Sequence, residues 1–78
     1  MLLEEAAKRV DEWKYRLIRS KRRQIELAEK TKIHQSRLSR LMSADIIMVG
    51  RMRMWEFGEI ERVLRDFEKD HEERISGE

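Results

Sequence analysis

The chain has no cysteine and no proline, and only three glycines, Gly50, Gly58 and Gly77. Without cysteine there is neither a disulfide framework nor a thiolate zinc site, which fits a reducing compartment. Without proline, and with so little glycine, the chain is poorly equipped for the tight turns of a β-rich fold, and an all-α protein is expected. Aromatic residues amount to 6%, so the basic residues have no stacking platform of the kind that RNA readers use. The one continuous apolar run, Ile46, Ile47, Met48 and Val49 ahead of Gly50, is far too short to cross a bilayer. The opening MLLEEAAKRV places acids where a secretion signal needs a basic start and a long apolar core. A cytoplasmic protein with no membrane partner is expected.

Charge is abundant. Charged residues make up 44% of the 78 positions, with 18 Lys and Arg against 16 Asp and Glu, a net charge of +2. Such a balance says little about partners, but its distribution says more: bases outnumber acids over 14–40, and acids dominate 56–78. The length allows a single domain, 1–78, with a modest core, and pairing of two copies would add stability. Catalytic signatures are missing. His34 and His71 lack the spacing or the companions of a metal site, and no glycine-rich phosphate loop or nucleophile elbow occurs. No enzyme, metal or cofactor is expected.

The stretch around which the chain is organised is 24–42, QIELAEKTKIHQSRLSRLM. Gln24, Leu27, Ala28 and Thr31 recur at the spacing that lays one stripe of a helix against a neighbour, and Ala28 is small enough for a close crossing. Ile33 is an apolar plug between this helix and a second, which begins near His34, Gln35, Ser36 and Arg37, where a hydrogen-bond acceptor can cap it. Leu38 and Leu41 point inward in that second helix. At about 100° per residue, the opposite face carries Ser36, Ser39, Arg40 and Ser43, flanked by Gln35 and Arg37. It holds no acid.

The segment ELAEKTKIHQSRLSRL resembles the helix-turn-helix of the phage-repressor and Cro-like regulators, closely over about twenty residues and loosely over 17–64. The resemblance implies a lambda-repressor-like bundle of four to five helices that binds double-stranded DNA as a homodimer and regulates transcription, most often as a repressor. By that likeness Leu27, Ala28, Ile33, Leu38 and Leu41 form the motif core, and His34 takes the capping place that Ser or Thr usually holds. Gln35, Ser36, Arg37 and Arg40 would face base edges. Gln24, Lys32, Ser39 and Ser43 would lie near phosphates, joined by the three cations ahead of the motif, Lys21, Arg22 and Arg23. Lys32 departs from the family pattern, which prefers glycine at this positive-φ turn; a side chain there costs on the order of 1 kcal/mol. Ser20 is a candidate helix cap.

Outside the motif, Leu3, Ala6, Val10, Trp13 and Leu17 predict an amphipathic helix over 3–19, packed across the motif or paired with a second copy. The run 46–50 and the alternating Arg51, Met52, Arg53 and Met54 predict an irregular buried linker rather than a small two-stranded wing. Phe57, Ile60, Val63, Leu64 and Phe67 predict a last helix over 54–73, and the charged tail 74–78 is expected to fray. Ile46, Ile47, Met48, Met52, Met54, Trp55 and Phe57 are the apolar surplus for a dimer or partner interface, with Trp13 as a further candidate. A second function follows from that surplus. The chain would then be a helical protein-interaction module, antirepressor or antitoxin-like, with the motif serving as scaffold.

Overall fold

A computed structural model describes residues 3–43 and 45–76, without the side chain of Ile46. Among them all regular structure is helical: α1 Leu3–Arg19, α2 Gln24–Thr31, α3 Gln35–Met42, α4 Ile46–Gly50 and α5 Met54–Ser76. The bundle is the all-α architecture that the composition predicts.

In α1 the buried residues are Ala6, Val10, Trp13 and Leu17, the stripe read from spacing, with Glu4 and Glu5 in the first turn and Arg16 and Arg19 in the last. That charge order opposes the helix dipole favourably at both ends. The helix stops through a 6→1 and 5→2 hydrogen-bond pair. Arg22 N–H donates to Leu17 O at 3.2 Å, Lys21 N–H donates to Ile18 O at 3.0 Å, and Lys21 lies in the left-handed region at φ 57°. Ser20 is buried at this end and its hydroxyl donates back to Arg16 O. It therefore closes α1 and does not cap α2, whose N-cap is Arg23.

The motif forms two eight-residue helices. Thr31 Oγ donates to Leu27 O at 2.7 Å, and Lys32 turns the chain at φ 61°. Leu27, Ala28, Ile33, Leu38 and Leu41 are all buried. The linker reading of 46–54 is corrected: 46–50 is a short helix, because the Asp45 carboxylate accepts from the N–H groups of Ile47 and Met48 and caps it. The tail reading is corrected for 74–76, since α5 runs on to Ser76, and 77–78 lie outside the described residues.

Helix α5 packs on both α1 and α2, while α3 packs on α1, α2 and α4. Trp13 is fully buried and its ring centroid lies 5.2 Å from that of Phe57. It is a core residue, not an interface candidate. Met48, Met52 and Phe57 also pack against the core. Of the expected apolar surplus, Ile47, Met54 and Trp55 are 66%, 83% and 51% exposed, and the side chain of Ile46 lies outside the described residues.

Candidate nucleic-acid interface

The first turn of α3 begins at His34, whose Nδ1 accepts from Ser36 N–H at 3.2 Å and lies 2.8 Å from Ser36 Oγ. An accepting Nδ1 places the ring proton of neutral His34 on Nε2, and the Ser36 hydroxyl then donates to the same nitrogen. Histidine thus does the capping work of a serine or threonine. Along the helix Gln35, Ser36, Ser39, Arg40 and Ser43 are exposed. Ser43 Oγ donates to Ser39 O at 2.8 Å. Arg40 makes no ion pair among the described residues.

Arg37 is differently placed. It stands on the flank of α3 that faces the start of α5, where its Nε donates to Glu56 Oε2 at 2.6 Å and its Nη2 to Glu56 Oε1 at 2.8 Å. Nη2 also reaches Arg51 O at 3.3 Å. Glu56 is 1% exposed, and its Oε1 accepts in addition from the backbone N–H of Arg53 at 2.9 Å. This is the acid half of a capping box, with Glu56 three residues into α5 from its N-cap. The Arg37 guanidinium, more than desolvation opposes, holds the Glu56 carboxyl below its ordinary value, and the Arg53 amide adds to the effect. Removing one partner of such a buried pair costs about 3–5 kcal/mol, because the other is left charged and dry. The Arg37 side chain, expected at a base edge, is thus paired with Glu56 in the structure.

Arg22 is occupied as well. It donates to Glu26 at 3.1 Å and to Asp70, and its guanidinium stacks 4.8 Å above the Phe67 ring. Of the other expected phosphate contacts, Lys21, Arg23, Gln24 and Lys32 are exposed. Neither Lys21, Arg23 nor Lys32 forms an ion pair among the described residues.

Sequence reasoning missed Glu56. Its signal was present: at 100° per residue it falls on the same face as Ile60, Val63, Leu64 and Phe67, so an acid stands in an apolar stripe and needs a buried partner. Beside it a groove is lined by Ile33, Arg37, Arg53, Trp55 and Glu56. Arg51 and Arg53 are exposed and make no ion pair among the described residues. Comparison with protein-family models, with curated proteins and with solved structures gives no match.

Proposed function

We propose that this chain is a non-enzymatic, cytoplasmic, sequence-specific regulator that binds double-stranded DNA through α3 as a homodimer, most plainly as a repressor occupying an operator. The observation that carries the reading is the exposed face of α3, short, polar and free of acid, with Gln35 and an Arg40 that makes no ion pair among the described residues. A helix of this kind fits the major groove, about 12 Å wide, where Arg grips guanine O6 and N7 and Gln grips adenine N6 and N7. Each bidentate contact discriminates by about 1–3 kcal/mol. Lys21, Arg23, Lys32 and the dipole at the start of α2 supply the sequence-independent attraction to phosphates. One motif reads only a few base pairs, so two copies about a helical turn apart supply the remaining specificity.

Selection from random duplex DNA at near-physiological salt tests this reading, with wild type beside Gln35→Ala/Arg40→Ala. A palindromic motif that the double variant loses is the expected outcome. If wild type enriches no sequence, the reading is wrong. A protein-interaction module is the second reading, and the exposure of Ile47, Met54 and Trp55 favours it. In that case Trp55→Ala abolishes a protein complex while Arg40→Ala changes nothing.

A further inference from the structure

We infer that Glu56 is a specificity-determining residue that withholds Arg37 from DNA. This rests on the DNA-reading function proposed above and assigns a role inside it. Arg37 lies in the first turn of α3, the part that a docked recognition helix pushes deepest among the bases. Left free, its guanidinium would add a second guanine-seeking group next to Arg40, or a further phosphate contact on any duplex. Glu56 removes that group by holding Nε and Nη2 from the side. The hold survives docking because the two anions in competition are not equivalent. A DNA phosphate keeps its water and counterions, whereas Glu56 is 1% exposed and, with Arg37 gone, would keep only the Arg53 N–H as a hydrogen-bond donor among the described residues. The backbone carbonyl of Arg51 and the backbone N–H of Arg53 complete the cradle. Of the two arginines on α3, one reads and one is held back, which lowers indiscriminate binding by one cation.

The test compares wild type, Glu56→Gln and Arg37→Ala/Glu56→Gln for binding to a selected site and to random duplex over a range of salt. The amide of Glu56→Gln keeps the shape and still accepts the Arg53 N–H, but lacks the charge that fixes Arg37. The slope of log affinity against log salt should steepen by about 0.9, one phosphate contact. The ratio of specific to random binding should fall about tenfold, and a second guanine preference should emerge. The double variant should return the slope to the wild-type value. A folded Glu56→Gln with wild-type slope and preferences overturns the inference. So does a double variant whose slope is shallower than wild type by about 0.9, since Arg37 then already touches phosphate; this second arm decides alone if Glu56→Gln does not fold. Absence of any duplex binding by wild type overturns the DNA function and the inference together. Specific wild-type binding combined with either earlier failure overturns the inference only.

Discussion

A guanidinium that grips two carboxylate oxygens could grip O6 and N7 of guanine with the same geometry, so residue type alone does not choose its partner. Arg37 and Arg40 stand three residues apart and differ only in what lies opposite them. Arg37→Ala should lower unfolding free energy by about 3 kcal/mol, the low end for a buried pair because Arg37 itself is partly in water, and urea titration measures it. Arg40→Ala should leave unfolding free energy within about 0.5 kcal/mol of wild type, as an exposed residue without partners does. The acids also set the response to pH. Burial opposes ionisation of Glu61, but hydrogen bonds from Trp13 Nε1–H at 2.7 Å and Arg16 Nη1 at 2.9 Å outweigh it. Both Glu56 and Glu61 are thereby held below the carboxylate value of 4.5. A group whose folded value is depressed binds its proton more readily when the chain is unfolded. Its contribution is therefore complete above 4.5 and is lost as pH falls through the folded value. Urea midpoints should be flat from pH 7 to about 5 and decline below, and Arg37→Ala/Glu56→Gln should decline less.

At the scale of the element, two turns are made by lysines where glycine would be unstrained. Lys21 and Lys32 both lie in the left-handed region. Lys32→Gly removes a steric cost of about 1 kcal/mol and adds back part of it as unfolded-chain entropy. A net gain of about 0.5 kcal/mol is expected, which a thermal melt reads as a rise of about 2–4 °C for a domain of this size. The same change removes a cation that the proposed function sets near a phosphate, so DNA affinity should fall and the salt slope should lessen by about 0.9 while stability rises, which separates the two roles on one variant. Helix α4 exists because Asp45 caps it. A run of five residues is too short to persist on propensity alone, so Asp45→Ala should cost about 1 kcal/mol.

At the scale of the molecule, α5 is the element to which α1, α3 and the join ahead of α2 are fastened by ion pairs. Its acids Glu56, Glu61, Glu68 and Asp70 receive Arg37 from α3, Arg16 from α1 and Arg22 from the join ahead of α2. The relative placement of the two motif helices is thus set from one rod of about 35 Å. The buried positions of this helix end at Phe67, and the long axis of the molecule reaches 43 Å. Trp13 and Trp55 report on the molecule differently, one fully buried and one 51% exposed. Acrylamide should quench the Trp55 emission and spare Trp13, so Trp55→Phe should leave a protected signal. If a second copy covers Met54 and Trp55, Trp55 quenching should fall as protein concentration rises through the dimerisation range.

The helices and most of the core were legible in the sequence. Spacing placed a helix over 3–19 and two short helices within 24–42, and the structure has helices there, because each is an amphipathic stripe whose partners need only be apolar. The C-terminal end of α5 and the helix at 46–50 were not, since a cap from Asp45 and anchoring of a charged helix by Arg22 are contacts of single atoms that leave no periodic trace. The candidate site was legible in half. The exposed, acid-free face of α3 follows from Leu38 and Leu41 alone, because an α-helix that buries one side must present the other. Which of its cations are free does not follow, since Arg22 and Arg37 meet Asp70 and Glu56 from 48 and 19 residues away. The sequence by itself determined an all-helical chain, its buried stripes and the polarity of the α3 face, all local consequences of side-chain order at a fixed helical pitch. Only the tertiary structure decided which arginines are held by α5, because a charge pair depends on distance in space, and distance is fixed when the helices pack.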